Sequence, residues 1–539
     1  MPPSPFLAQN PDQPLWDVVV VGAGLGGAVV GSQLAKAGRS VLFVEKGHFL
    51  HDPAAMPKDG SPHPASIRTG DSPATLLQGG RWPVPISGDT SFGALTFHAP
   101  LGCGTGGSST LYAAQLERLR PLDFAPRAQH QQAAESTLPE QWPIAYADLL
   151  PYYRAAERLF SVCGTRDPLD VAADDLPAQP PLSERDAQLF ELLAGKGLHP
   201  YRAHVGCRFV PDCQNCGGHF CAKQCKQDAG WACLMPALQQ HGAKLLADCE
   251  VLALEAGRRE VQRVHVRQGG AEFAVRGKLV ILAAGSLMSP VLLLRSRSAE
   301  WPQGLANGSG LVGRNLMLHT SDMVAIKPTG RPATAGPQKS IALNDFYLVD
   351  GVKLGTFQTM GVAVDRWQIF SYLRAKESRD PKWWRPLVRP FLRPASAAAG
   401  LYFQHAGVFA TIVEDLPYAD NHVVPDATTP SGMRFHYRYR QELMARNARY
   451  RQLLRARLGR GQLTFLGGVN NLNYGHACGT CRFGDDPRQS VLDRHNRAHE
   501  LDNLYVVDGS FLPSSGGTNP SLTIAANALR VADAILARG

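Results

Sequence analysis

The sequence has little that would carry it into or across a membrane. Its first residues, MPPSPFLAQNPDQPLW, have neither a basic start nor an apolar core, which argues against a signal peptide or an anchor. The longest apolar run, residues 279–294, is too short to span a bilayer and is broken by Gly285, Ser286 and Pro290. We therefore expect a cytoplasmic protein, with a membrane-peripheral position or export with a partner subunit as the alternatives.

Long blocks of like charge are also absent. The formal net charge is +9, from 55 Lys and Arg against 46 Asp and Glu, but these residues are scattered along the 539-residue chain. The pattern excludes the basic arm of a typical nucleic-acid-binding protein and favours a mildly basic, solubilising surface. One basic segment, residues 379–394, alternates arginines, aromatics and prolines. It suits an irregular surface excursion, peripheral membrane contact or an apolar substrate, and its prolines argue against a continuous helix.

What the chain does contain begins at residues 17–47, DVVVVGAGLGGAVVGSQLAKAGRSVLFVEKG. A β-branched run followed by G-x-G-x-x-G, a helix and a second strand predicts the β-α-β unit that binds an adenine dinucleotide, FAD or NAD. The glycines permit the tight turn, the approach of the pyrophosphate and close packing of the helix on the strand, and an acid about 20 positions on holds a ribose hydroxyl. The predicted contacts are Gly22, Gly24, Gly26, Gly27 and Glu45.

Two further stretches are predicted to approach the same cofactor. A second glycine-rich loop, residues 102–109, opens an apparent helical pattern at 111–118 and can offer backbone N–H groups to phosphate or to a flavin ring. Short strands at 245–254, 261–266, 273–275 and 279–284 read as a meander that rejoins the nucleotide-binding sheet. The residues assigned to the cofactor here are Gly102, Gly106, Gly107, Ser108, Val251 and Gly285.

Residues 207–233 hold six of the eleven cysteines. In a chain without a secretory signal, this density points to metal ligation before disulfides, and soft thiolates suit an iron–sulfur cluster or zinc. The candidate ligands are Cys213, Cys216, Cys221 and Cys225. A disulfide-stapled loop and free buried thiols remain the alternatives.

Three segments lie near the C-terminus: NYGHACGTCRFG at 473–484, NLYVVDGS at 503–510 and GGTNPSLTI at 516–524. With residues 22–45, 102–109 and 312–316, they resemble the glucose/methanol/choline (GMC) oxidoreductases, a family of FAD enzymes. The resemblance covers both ends of the chain but not residues 320–470. It implies an α/β fold, α+β overall, with a Rossmann-type FAD-binding domain over 15–320 that includes the cysteine-rich insert. An interleaved substrate-binding domain on a mostly antiparallel sheet covers 321–470, and the chain returns to the first domain at 471–539.

The resemblance also implies roles for residues near the C-terminus. Asp508 and Gly509 are expected on the diphosphate side of FAD, and the helix that follows Asn519 and Pro520 points its positive end at the isoalloxazine. His476 stands in the position of the catalytic base, because an imidazole titrates in the range needed to take a hydroxyl proton. Asn519 stands in the position of its partner. The other histidines, among them His319, His495 and His499, are interpreted as structural.

The implied reaction is oxidation of a CH–OH group of an alcohol or sugar by hydride transfer to flavin N5. Electrons then leave to a quinone, a cytochrome or another acceptor, including the iron–sulfur cluster. Leu111 occupies the position at which some members carry a flavin-linking histidine, so FAD is expected to be noncovalent. Two alternatives stay open: an oxygen-using oxidase that forms hydrogen peroxide, and a non-catalytic flavin-binding electron-transfer subunit.

Overall fold

The structure is a computed structural model that describes residues 6–8, 11–12, 14–52, 72–170, 174–211, 213, 217–221, 223–333, 339–361, 383, 385–459, 461–468 and 471–538. The α-helices of these residues are α1 Leu25–Lys36, α2 Pro73–Gln78, α3 Tyr146–Leu159, α4 Glu184–Gly195, α5 Met235–Gln240, α6 Met288–Arg295, α7 Arg385–Phe403, α8 Gln441–Leu458 and α9 Ser521–Leu536. The strands are β1 Leu15–Val21, β2 Val41–Val44, β3 Ile86–Thr90, β4 Gly93–Phe97, β5 Val162–Cys163, β6 Tyr201–Arg202, β7 Val205–Gly206, β8 Lys244–Leu246, β9 Cys249–Ala256, β10 Val261–Gln268, β11 Ala271–Leu282, β12 Met323–Ile326, β13 Ile341–Leu343, β14 Leu348–Val349, β15 Val352–Lys353, β16 Phe357–Thr359, β17 Gly407–Thr411, β18 His422–Pro425, β19 Met433–Tyr437, β20 Leu463–Phe465 and β21 Leu504–Val506.

The nucleotide-binding unit forms the centre of a seven-stranded sheet. Its order is β8-β2-β1-β11-β10-β9, and β21 pairs with β11. Strands β8, β2, β1, β11 and β21 run parallel, while β9 and β10 join as an antiparallel hairpin. Residues 18–21 are buried, as expected for a parallel strand covered on both faces. The two short strands predicted at 273–275 and 279–284 are one strand, β11, which crosses from the hairpin into the parallel sheet.

A second sheet has six antiparallel strands in the order β20-β12-β17-β16-β13-β6. Because side chains alternate along a strand, its two faces differ. Val324 and Phe409 pack with Leu189 of α4 and Leu454 of α8 in a hydrophobic core. The opposite face carries a row of residues paired directly across the strands, namely Met323, Ala410, Gln358 and Ala342. The described residues also form a four-stranded sheet in the order β18-β19-β3-β4 and two two-stranded sheets, β14-β15 and β5-β7.

Two predictions of local structure are wrong. Residues 111–118 are not a helix, because only a short 3-10 turn at Gly107–Thr110 forms there and Gln115 then pairs with Val205 as an isolated bridge. Residues 385–403 are a continuous helix, α7, despite Pro390 and Pro394. Both prolines are exposed, so water can satisfy the carbonyl groups that lose their partners. Residues 379–382 and 384 of that basic segment lie outside the described residues. No helix in the described part of the chain is both long and apolar enough to cross a membrane.

Candidate active site

A cavity of about 870 Å³ lies between the two main sheets. One wall is made by residues at the carboxyl ends of β1, β2, β11 and β21, which is where ligands bind in open α/β sheets. The opposite wall is the face of the six-stranded sheet that carries Met323, Gln358 and Ala410. Its size is in the range of clefts that hold cofactors and small substrates.

The structure brings most of the predicted cofactor residues to this cavity. Its lining includes Gly22, Gly24, Gly26, Glu45, Gly102, Gly107, Ser108, Val251, Gly285, Asp508, Gly509, Asn519 and Pro520. Gly27 and Gly106 do not line it. Gly27 packs α1 against the first strand, where an added Cβ would lie 2.1 Å from the Gly22 carbonyl oxygen, and the Gly106 N–H donates to the Ala23 carbonyl. Their binding roles stay predictions.

The glycine turn is built for a dinucleotide. Gly22 has a φ of +97°, and a Cβ on Gly26 would lie 2.1 Å from the Val507 carbonyl oxygen, so neither position accepts a side chain without movement. The first turn of α1 begins after Gly24, has no side-chain cap and carries no acidic residue. Its N–H groups and the positive end of the helix are therefore available to a diphosphate.

Two carboxylates shape the cavity wall. Glu45 accepts hydrogen bonds from the N–H groups of Ala23, Gly47 and Gly104 at 2.9 to 3.1 Å. A carboxylate has about four acceptor sites, so one remains for a ribose hydroxyl. Asp508 accepts from the Gly285 N–H at 3.0 Å and from the Ser510 N–H at 2.9 Å. Burial raises the pKa of Asp508.

His476 and Asn519 meet at the end of the cavity that faces the six-stranded sheet. His476 ends a short 3-10 turn, Tyr474–His476, in which the side chain of Asn473 accepts a hydrogen bond from the Gly475 N–H. The Nδ2 of Asn519 lies 3.3 Å from Nε2 of His476. The Oδ1 of Asn519 is buried without a hydrogen-bond partner among the described residues. The pair therefore places a basic ring nitrogen and an amide side by side in the cavity lining.

His319, interpreted from the sequence as structural, contacts the predicted base His476. Its Nδ1 lies 2.9 Å from Nδ1 of His476, and its Nε2 lies 2.9 Å from the Gly516 carbonyl oxygen. A carbonyl only accepts, so Nε2 of His319 carries the proton and its Nδ1 is bare. Burial lowers the pKa of both rings, for His476 well below its ordinary value, with the charge of His319 as the second cause. Both are neutral near pH 7, so His476 donates from Nδ1, and its unprotonated Nε2, which accepts from the Asn519 amide, can act as a base.

Comparison with known proteins identifies the family. Residues 18–321 and 425–528 match the GMC oxidoreductase family. A paromamine 6'-oxidase of Streptomyces fradiae is 30% identical to the chain and the match covers 97% of this chain and 92% of that protein. The chain belongs to the GMC oxidoreductase family. A 2-methyl-1,2-propanediol dehydrogenase of Mycolicibacterium austroafricanum is 27% identical over 97% of this chain and 95% of its own length.

The fold of this GMC oxidoreductase is also found among solved structures. A fungal aryl-alcohol oxidase superposes with a TM-score of 0.62 at 16% sequence identity, covering 98% of this chain and all of that one. The family expectation and the α/β fold class predicted from the motifs are confirmed. The protein is an FAD-dependent oxidoreductase that acts on CH–OH groups.

The predicted metal ligands are only partly brought together. The sulfur atoms of Cys207, Cys213 and Cys225 lie within 4.8 Å of one another, and Cys221 Sγ is 3.3 Å from Cys225 Sγ. Cys216 lies outside the described residues. Cys207 was missed because it stands apart from the C-x-x-C spacing, and a bridge between Cys207 and Lys226 brings it beside Cys225. Neighbouring thiols raise the pKa of Cys207 and Cys225. Clustered thiols are deprotonated readily only when a metal ion replaces their protons.

Proposed function

We propose that this GMC oxidoreductase is an alcohol or sugar dehydrogenase in which His476 is the general base. The unprotonated Nε2 of His476, held beside the Asn519 amide in the cavity that the glycine turn also lines, supports this proposal. FAD, when bound, supplies the acceptor for the hydride of the carbinol carbon. It is held noncovalently, because Leu111, which also lines the cavity, offers no group for a flavin link.

The chain's own residues manage the hydroxyl proton. Nε2 of His476 takes this proton as the carbinol carbon is oxidised, and the amide of Asn519 donates a hydrogen bond to the same oxygen. Because the pKa of His476 is lowered, the ring is unprotonated at neutral pH and needs no prior deprotonation. Only acid well below the ordinary imidazole range protonates the base, so the rate of oxidation stays level through neutral pH.

The electron acceptor distinguishes the dehydrogenase from the oxidase. The relatives include proteins of both names, so an assay decides. The experiment is to bleach the flavin anaerobically with a panel of sugars, aliphatic alcohols and aromatic alcohols, and then to add air or a quinone-like dye. We expect fast re-oxidation by the dye and little hydrogen peroxide. Peroxide formed at the rate of substrate oxidation would make the protein an oxidase, and a flavin that no alcohol bleaches would favour the non-catalytic electron-transfer subunit.

We further propose that the cysteine group holds an iron–sulfur cluster that relays electrons to a quinone, a cytochrome or an acceptor protein. Gly217 and Gly218, which follow Cys213 in the chain, line the cavity, so the group adjoins the place where electrons must leave. Cys207, Cys213, Cys221 and Cys225 are the ligands the geometry supports. An acceptor dissolved in a membrane would meet the exposed Leu387 and Phe391 on the outward face of α7.

The cluster predicts iron in the purified protein. Elemental analysis should find iron together with visible absorbance beyond the flavin bands, and both should fall when Cys225 is replaced by Ser. Cys233→Ser is the matched control, because Cys233 is a buried thiol that packs in the main core, apart from the group. Zinc in place of iron would make the site structural, and an iron-free protein with full dye-reducing activity would remove the relay.

A further inference from the structure

Lys339 is a buried lysine in the cavity wall, and none of the described residues forms an ion pair with it. The residue is 3% exposed and lines the cavity just before β13. Its ammonium makes no hydrogen bond or ion pair among the described residues. A buried ammonium without a partner destabilises the folded protein. Such groups are commonly retained at functional sites, where a bound ligand can pair with the charge. Burial lowers the pKa of Lys339 to about 7.

The carboxylate near Lys339, that of Glu117, already has other partners. Glu117 is the acid whose charge reaches Lys339. Its Oε2 lies 2.8 Å from Nδ1 of His204, and its Oε1 accepts from the amide of Gln115 at 3.1 Å. His204 therefore takes most of the charge of Glu117, and the ammonium of Lys339 is left facing the cavity.

Two buried amide oxygens share this part of the cavity. Gln115 and Gln358 are 4% and 1% exposed, both line the cavity, and the Oε1 of each has no hydrogen-bond partner among the described residues. The amide nitrogen of Gln115 donates to Glu117 at 3.1 Å. Gln358 pairs with Ala410 across the strands and shares its cavity-facing row. Unsatisfied buried acceptors require donors, and a substrate hydroxyl supplies one.

We propose that Lys339, Gln115 and Gln358 form a subsite for an anionic alcohol, with Lys339 on a carboxylate or phosphate group and the two amide oxygens on further hydroxyls. The charge of Lys339 also reaches His476, whose pKa it lowers, so the subsite and the base act on one bound molecule. The wall beside them is apolar, with Met323, Met360 and Ala410, and it accommodates the hydrocarbon face of the chain. This inference rests on the proposed function, since it names the substrate class of the same site.

Binding without turnover tests the subsite separately from the reaction. The probes are gluconate, glucose phosphate and the neutral polyol sorbitol, each added to the FAD-loaded enzyme while the flavin absorbance spectrum is followed. We expect one or both anions to bind about tenfold or more tightly than sorbitol, which is the scale of one charge-assisted hydrogen bond. The two anions distinguish a carboxylate from a phosphate ligand. If sorbitol binds as well as both anions, the subsite does not exist, whether or not any alcohol is oxidised.

Variants assign the effect to Lys339. Lys339→Met should bind FAD, lose the preference for anions and melt at a higher temperature than the wild type, because an unpaired buried charge is removed. Gln358→Leu should weaken the binding of all the polyols while keeping the preference for anions. Lys327→Met is the matched control, since Lys327 lies over the ring of Tyr402, outside the cavity lining. Loss of FAD from Lys339→Met would assign Lys339 to the cofactor, and equal weakening of anions and sorbitol would overturn the charge role.

Discussion

Replacing His476 with Ala is expected to leave FAD bound and to lower the rate of alcohol oxidation by about 10² to 10⁴ fold, the usual contribution of a general base. The loss should fall on kcat and kcat/KM together, because the proton is transferred only as the carbinol is oxidised. The cofactor should stay because the glycine turn and the start of α1 remain intact. The measurements are the flavin absorbance of the purified variant and its rate of anaerobic bleaching.

A matched histidine separates this role from a general loss of packing. His499→Ala removes an imidazole that contacts Ser490 and does not line the cavity, so its rate should equal that of the wild type. Added imidazole should restore part of the rate of His476→Ala, since the cavity left by the side chain can admit a free base. Unchanged activity in His476→Ala would remove this residue from the mechanism.

The nucleotide-binding unit could be predicted because the interactions that form it join residues close together in the sequence. The turn needs a residue with positive φ at Gly22, and the strand, the turn, the helix and Glu45 follow one another within about one β-α-β unit. Every requirement is met by neighbours in the chain. The family motifs near the C-terminus extended the prediction to Asp508, His476 and Asn519, which line the same cavity.

The partners of the base could not be predicted in the same way. His319 and His476 are 157 positions apart, and they meet because Met317 and Cys478 pair as an isolated antiparallel bridge. No spacing in the sequence signals that bridge, and the only clue was the position of His319 just after the motif at 312–316. The burial of Lys339 in the cavity wall was missed for a related reason, since no local pattern in the sequence marks it and only the folded chain reveals it.

The helical prediction at 111–118 failed because long-range pairing overrode a local pattern. Gln115 pairs with Val205, and the N–H of Leu116 donates to the His204 carbonyl, so the segment runs extended along a neighbouring strand. This extended path sets Gln115 into the cavity wall. The wrong prediction thus falls on a segment that the proposed substrate subsite uses.

Replacing Lys353 with Met is expected to lower the free energy of unfolding by about 3 to 5 kcal/mol, the usual cost of removing one partner of a buried ion pair. Lys353 is fully buried at the end of β15, where its ammonium pairs with Asp123 and lies 2.8 Å from Glu414. Without it, the two buried carboxylates lose their shared ammonium, and the ring of His130 stays beside Glu414. The midpoint of denaturation, followed by release of the flavin, measures the loss.

The cost should come from the unpaired acids and not from the missing lysine itself. Adding Asp123→Asn and Glu414→Gln to Lys353→Met should therefore recover most of the stability, and Lys36→Met, at an exposed position, should change it by about 0.5 kcal/mol or less.

Tyr347 donates to Asp123 at 2.6 Å and accepts from the Gly517 N–H at 3.1 Å, so the charges also support the loop that leads to Asn519. Lys353→Met should accordingly lose alcohol oxidation at temperatures where it is still folded. A Lys353→Met variant that is as stable and as active as the wild type would show that these charges do not hold the loop in place.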